Sequence, residues 1–396
     1  MTSMSKPTVL IALTSLCAEG TPVLVLDLCR QWLAWGIQPV VVTLYDEPRD
    51  LEPELRSLRV PLHSLQLPAQ GYRRYGQLAV GIYRLARQYR AQALLSMPFG
   101  WHTFMAAGAR LAGVRRVAAH VGNYPPVGSP SFSKFRQQVQ WGRSLTDRLL
   151  CCSGYIQAGV VQHFGVPEAE TQVVYNACAW EPEGDRPPRS VHQPLTIGMV
   201  ARLEIHKDQP TLIRAAQRLK QQGMPIQVQL IGEGSRRAEY EALVAELGLE
   251  DCVTLLGMRR DIPDVLRQMD LFVFAAKPDE GFGIALVEAM VMGVPVVATQ
   301  VGACCEVLQD GDLGWLVPPG NPDRLAETIR YVANHPDQAQ SVAKKAQDVA
   351  QHLFAIATMA RDYATVLNIL PEQVPYDRSS RAADSGSRAQ WPSFGR

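Results

Sequence analysis

The chain has 396 residues, 47% of them hydrophobic and 19% charged. At ~150 residues per domain this predicts two to three domains with packed cores, and it excludes a wholly disordered chain or a small disulfide-stapled scaffold. The net charge of +1 hides an asymmetry, because residues 1–190 carry 19 Lys and Arg against 13 Asp and Glu, whereas residues 191–396 carry 20 against 25.

The opening apolar run, Thr8–Leu13, reads as a first strand. Lys6, the apolar stretch and Cys17-Ala18 also mimic a signal peptide, but the amphipathic helix and second strand that follow at once favour an α/β domain. Residues 18–22 read as a turn containing Gly20, 23–35 as a helix stopped by Gly36, and 39–44 as a β-branched strand; this βαβ unit implies a parallel sheet. Strands are expected at 92–96, 115–121, 148–152 and 172–175, with helical stretches between them. The polar, Pro-rich run at 181–190 breaks the pattern and reads as a linker over 181–194.

A second alternating series follows, with strands at 195–200, 226–231, 252–255, 271–275 and 295–299 and helices at 209–222, 236–247, 263–268 and 284–292. The expected architecture is therefore two α/β, doubly wound domains, 1–180 and 195–354, facing across a cleft at the carboxyl ends of their strands, where open α/β sheets bind ligands. Residues 336–370 read as helical, with 355–370 expected to pack back on the first domain. The tail, 371–396, is rich in Ser, Arg, Gly and Pro and reads as disordered.

No apolar run reaches the ~18 residues of a membrane span. Eight cysteines include no C-x-x-C pair, so spacing gives no support for zinc. Cys17, Cys29, Cys151 and Cys252 sit in apolar contexts and read as small core residues, which suits a reducing, cytoplasmic compartment.

The chemistry is concentrated after two strands of the second series. In Glu280-Gly281-Phe282-Gly283-Ile284 a strand gives way to a helix, two glycines let backbone approach a ligand, and the helix start offers free N–H groups to an anion. Glu288 lies four residues into that helix among Ile, Leu, Val, Ala and Met. A carboxylate there needs a partner, and ribose hydroxyls would supply two donors; the bland alternative is one solvated face of a core helix. Arg202 and Lys207 follow the strand at 195–200 on a loop facing the same cleft. Together they suit a diphosphate, by a fork and a point charge, or are simply two exposed loop cations.

Taken together, Arg202-Leu203 with Lys207, Glu280-Gly-Phe-Gly with Glu288, Gly293-Val-Pro295-Val-Val-Ala-Thr, Val174-Tyr-Asn176, Gly257-Met-Arg-Arg-Asp261-Ile-Pro263 and Glu306-Val-Leu-Gln-Asp310-Gly311 resemble the family-four retaining glycosyltransferases, also called group 1, of GT-B architecture with two Rossmann-like domains. The likeness is strong over 195–329 and fair over 8–44. It implies that Arg202 and Lys207 hold the diphosphate of a nucleotide-sugar donor, that Glu288 holds its ribose, and that Glu280 sits by the transferred sugar. Phe282, Gly283 and Ile284 would meet sugar or phosphate, and the loop of Gly257, Met258 and Arg259 the base. In the first domain Gly20 would match the family's glycine loop, although this chain has Glu19-Gly20-Thr21-Pro22 where paired glycines are common. His120 would face the transferred sugar, the competing reading being a satisfied structural histidine. Retention of configuration is likewise implied by the family. With cations and a helix start opposing the leaving group's charge, no metal and no cofactor beyond the nucleotide-sugar co-substrate are expected.

From 55 to 146 the chain has 13 Arg and Lys and no carboxylate, which predicts a positive surface on the first domain that attracts an anion. Arg73, Arg74, Arg84 and Arg87 on an aromatic-rimmed helix, with Lys134 and Arg136, are expected to meet a glycan or lipid-linked acceptor, or an anionic membrane surface on the cytoplasmic side; the alternative is a solvated helix face. Other functional readings are a nucleotide-sugar epimerase or phosphorylase on the same architecture, and a non-catalytic nucleotide-binding subunit. Nucleic acid is not an expected partner, since the basic residues lack a recognition motif and the second half is acidic.

Overall fold

The computed structural model describes residues 6–181, 194–372 and 374; most of the expected linker and of the expected tail lie outside them. The first unit runs β1 (Thr8–Leu13), α1 (Gly20–Ala34), β2 (Gln38–Thr43), α2 (Glu52–Ser57), β3 (Leu62–Ser64), α3 (Arg73–Tyr89), β4 (Ala93–Ser96), α4 (His102–Leu111), β5 (Arg116–Val121), α5 (Phe132–Gly142), β6 (Arg148–Cys151), α6 (Gly154–Phe164) and β7 (Thr171–Val173). The second runs β8 (Leu195–Val200), α7 (Gln209–Gln221), β9 (Ile226–Ile231), α8 (Arg237–Glu246), β10 (Val253–Gly257), α9 (Ile262–Arg267), β11 (Leu271–Phe274), α10 (Ile284–Val291), β12 (Val296–Thr299), α11 (Gly302–Val307), β13 (Trp315–Val317) and α12 (Pro322–Asn334). Two helices close the chain, α13 (Pro336–Leu353) and α14 (Ile356–Val366).

Each unit is a parallel sheet, ordered β3-β2-β1-β4-β5-β6-β7 and β10-β9-β8-β11-β12-β13. Because both faces are covered by helices, the strands read as continuous apolar runs rather than alternating ones. Val9–Leu13 of β1, an interior strand of the first sheet, is almost wholly buried. In both sheets the strand order reverses beside the first strand, between β1 and β4 and between β8 and β11. Loops leaving the carboxyl ends of those strands diverge to opposite faces and leave a crevice there. The two α/β, doubly wound, Rossmann-like domains expected from the sequence are thus present.

The structure moves one boundary that matters for the site. Gly20 is the first residue of α1 rather than part of a turn at 18–22. Pro22 falls in the first helical turn, where its missing N–H would have had no partner in any case. Cys17, expected in the core, is half-buried on the loop before α1, while Cys29, Cys151 and Cys252 are buried; all eight cysteines are free thiols. Among the described residues no helix is long and apolar enough to cross a membrane.

The chain crosses between the domains a second time. After α13, which lies against α10, it passes to the first domain, where α14 packs on α1, and the Trp32 Nε1–H donates to the Ala360 carbonyl at 2.9 Å. At this crossing Cys178 and Ala355 form a parallel bridge, with the Cys178 N–H on the Phe354 carbonyl at 2.9 Å. Tyr175, Phe282 and Phe354 cluster beside it, ring centroids 5.4–6.0 Å apart, so aromatic packing ties both domains to the crossover.

Candidate active site

The crevice at the β8/β11 switch is walled by two loops. The first, after β8, carries Arg202 and Lys207. Its path is pinned by Gln209, whose Nε2 donates to the Arg202 carbonyl at 2.8 Å, and by the Leu203 N–H on the Glu233 carbonyl at 2.9 Å. Arg202 reaches across the cleft: its Nε lies 3.5 Å from Glu19 Oε2, just before α1, with half of its side chain exposed. An ion pair that open to water is weak and leaves the guanidinium available to a stronger anion.

The second loop, after β11, is the turn through Glu280 and Gly283. Glu280 is 8% exposed and pairs with the Lys207 ammonium, which also stands 5.3 Å over the Phe274 ring; its Oε1 accepts the Phe282 N–H at 3.3 Å. Gly283 has φ +87°, and a Cβ on it would lie 3.0 Å from the Phe274 ring, so glycine is required to turn the chain into α10. The start of α10, where the first N–H groups have no partner within the helix, follows this turn at the carboxyl end of β11. Opposite it stands Gly20: a Cβ there would meet Ile284 Cδ1 at 3.8 Å, so Gly20 and Ile284 face one another across the cleft.

Glu288 lies one turn into α10 with a small part of its surface open. Burial, with the Asp27 carboxylate of α1 adding to it, pushes its carboxyl up to about 7. It therefore waits, half protonated at neutral pH, for hydrogen-bond donors. The loop of Gly257, Met258 and Arg259 leaves β10 nearby; Met258 is exposed, and Arg259 is held by Asp261 at 2.7 Å.

The first domain closes on the same turn. Ser153 Oγ donates to the Gly281 carbonyl at 2.8 Å, Asn123 Nδ2 to the Asp279 carbonyl at 2.6 Å, and the Tyr155 hydroxyl to the Pro278 carbonyl at 2.8 Å. A Cβ on Gly281 would stand 2.0 Å from the Gly122 carbonyl oxygen, so this approach admits only glycine. Glu306 of α11 accepts the N–H groups of Gly154 and Tyr155 at 2.7 and 2.8 Å and the Tyr175 hydroxyl at 2.9 Å. One domain's carboxylate thus caps the start of the other's helix α6. His120, at the carboxyl end of β5, is 1% exposed, and burial lowers its pKa to about 4.

Arg202 and Lys207 on the loop after β8, Glu280 and Gly283 on the turn after β11, Glu288 one turn into α10, and Gly20 facing Ile284 thus gather at the carboxyl ends of β8 and β11; the Phe282 side chain is 3% exposed and packs on Tyr175 and Phe354 instead. The basic residues of the first domain do not form one patch with this site. Since α3 runs antiparallel to the strands, Arg73 and Arg74 lie towards the cleft end and Arg84 and Arg87 towards the other, on a helix ~25 Å long. Arg74 is not a free cation: its guanidinium donates to the Ala69 carbonyl and lies 4.9 Å over the Trp101 ring. Lys134 and Arg136 are exposed on α5. Arg87 instead joins Arg90, Arg115 and Arg116 around a groove of about 780 Å³ at the amino ends of β4 and β5, the opposite end of the strands from the cleft. The carboxylate-free stretch shaped both regions, and only the fold separates them. Glu19, Asn123, Ser153 and Tyr363 carried no sequence signal, because their partners lie in the other domain or far along the chain.

With this geometry in view, the chain matches the family model for group 1 glycosyl transferases over residues 182–349 and that for glycosyltransferase family 4 over 18–178. It is 30% identical to a putative colanic acid biosynthesis glycosyltransferase of Escherichia coli over 221 residues, 54% of each chain. It is 38% identical to the amylovoran biosynthesis glycosyltransferase of Erwinia amylovora over 147 residues, 35% of this chain and 36% of that one. The alignments thus span about half, or less, of these relatives. Among solved structures, HepE of Anabaena in complex with UDP and glucose superposes with a TM-score of 0.77 at 22% identity, covering 91% of this chain and 99% of that one. A glycosyltransferase of Rickettsia africae gives 0.77 at 16% identity over 93% and 100%. These structural likenesses bear on the fold, which is GT-B.

Proposed function

The chain belongs to the group 1 glycosyltransferases, and from that premise we propose that it moves a glycosyl unit from a nucleoside-diphosphate sugar to a hydroxyl of a cell-envelope polysaccharide or its lipid-linked precursor. The observation that carries this reading is the convergence of Arg202, Lys207 and the start of α10 on one crevice at the strand-order switch. Breaking the bond between anomeric carbon and diphosphate puts negative charge on the leaving oxygens while the ring becomes oxocarbenium-like. The two cations and the α10 N–H groups oppose that charge, each such preorganised donor contributing ~3 kcal/mol. Glu288 takes the ribose hydroxyls. In this reading no metal is needed, configuration is retained, and the leaving phosphate oxygen accepts the acceptor's proton.

The named functions of the curated relatives support the substrate class, and the neighbour solved with UDP and glucose supports a uridine nucleotide as the first to try. The cleft-end cations Arg73, Lys134 and Arg136 would guide an anionic or lipid-linked acceptor, with contact to an anionic membrane surface. A thermal-shift panel of UDP-, GDP- and ADP-sugars tests the donor, a bound sugar nucleotide at a hundredfold its Kd stabilising the fold by ~2.7 kcal/mol. NMR of the product's anomeric configuration tests retention, an inverted product refuting it. Flotation with anionic vesicles at low salt tests the membrane contact, which fails if the protein stays in the soluble fraction.

A further inference from the structure

Two histidines of the first domain are buried and neutral, but their nitrogens are used differently. His102 spends both, Nδ1 on Ser96 Oγ at 2.5 Å and Nε2 on Thr146 Oγ1 at 2.7 Å. His120 spends one: Nδ1 lies 2.7 Å from the Tyr363 hydroxyl of α14, and Nε2 is buried with no protein partner. Tyr363 is itself fully buried, and burial holds its hydroxyl protonated far above the ordinary range.

The proton inventory decides the tautomer. Were Nδ1–H to donate to the tyrosine oxygen, the hydroxyl proton would be left in the core without an acceptor. With the hydroxyl donating to Nδ1 that proton is satisfied, and a neutral imidazole must then carry its own on Nε2. The cost moves to Nε2–H, a buried donor with nothing to bind. Its surroundings show where it faces. A Cβ on Gly122 would stand 3.0 Å from Nε2, and the Gly122 carbonyl is the atom on which Gly281, next to Glu280, closes. The orphan N–H therefore lies at the seam between the domains, beside the turn that carries Glu280.

We propose that Tyr363 is a positioning residue: its hydroxyl fixes His120 as the Nε2–H tautomer, the form able to donate to the transferred sugar that the family resemblance sets before His120. The sugar rests on the glycosyl-transfer reading; the tautomer does not. Because α14 reaches the first domain only through the second interdomain crossing, docking of the chain's last helix completes the site.

The test has two arms, both on the full chain. Long-range ¹H–¹⁵N NMR of histidine-labelled protein needs no substrate. It should show His120 protonated at Nε2 and bare at Nδ1, and Tyr363→Phe, which keeps the ring packing, should mix the tautomers. A wild-type spectrum with the proton on Nδ1, or an unchanged tautomer in Tyr363→Phe, overturns the proposal. With UDP-glucose, Tyr363→Phe should lower kcat about tenfold at little change in KM, as for one neutral hydrogen bond in the transition state. Added to His120→Ala, it should lower kcat no further. Additive effects overturn the coupling. If the wild type turns over no sugar nucleotide while the NMR pattern is as expected, the transfer reading fails and the tautomer assignment stands.

Discussion

Glu288 gives the sharpest prediction, because its charge state is set by the fold and should be reset by the ligand. Burial beside Asp27 lifts its carboxyl from 4.5 to about 7. A ribose diol places two O–H donors on the carboxylate and favours the charged form. If the bound carboxyl returns to its ordinary value, binding releases ~0.5 proton at pH 7 and ~0.9 at pH 6. The sign follows from a raised value in the free protein. Affinity is full above pH 7 and is lost as the pH falls through that value, being ~tenfold weaker at pH 6 than at pH 8, or ~1.4 kcal/mol. A sugar nucleotide is the correct probe, since its diphosphate is a diester with no ionisation in this range. Calorimetry of UDP-glucose binding in two buffers of different ionisation enthalpy reads the proton count. Glu288→Gln should abolish both the release and the slope. Equal proton counts in wild type and variant, or an affinity flat from pH 6 to 8, would refute the assignment of Glu288 to the ribose.

Two further outcomes follow from the packing. Lys207→Ala removes the ammonium paired with the 8%-exposed Glu280 and should cost ~3 kcal/mol in denaturant unfolding, with most of it recovered when Glu280→Gln is added; both variants should lose donor-dependent activity by ~100-fold or more. Gly281→Ala inserts a methyl 2.0 Å from the Gly122 carbonyl, so small-angle scattering should show a more open molecule and kcat should fall with it, whereas Gly311→Ala, at a turn with open space around it but φ +103°, should cost only stability.

Long, apolar and doubly covered strands were legible in the sequence: 8–13 was expected with the bounds it has, because a buried parallel strand has one pattern and few competitors. The elements at 52–64 were not expected, since a six-residue helix and a three-residue strand are too short to show a period. The placement of Arg202, Lys207 and Glu280 was legible because they lie on short loops after β8 and β11, where the fold class alone fixes their neighbourhood. Tyr363, Glu306's three partners and the separation of Arg74 from Arg87 were not, because each depends on contacts made more than a hundred residues away or on which end of a helix meets the cleft.

The two crossings between the domains are not independent. Cys178, leaving the first domain, and Ala355, returning to it, lie side by side in a parallel bridge, held by the Cys178 N–H on the Phe354 carbonyl. Pairing of the two crossings at this point tethers the lobes at one place, so a swing about it is the movement that leaves the pair intact. Any opening that keeps the pair intact would bring Glu306 back to the same helix start, so that alignment of the facing groups would be restored by mechanics rather than found afresh.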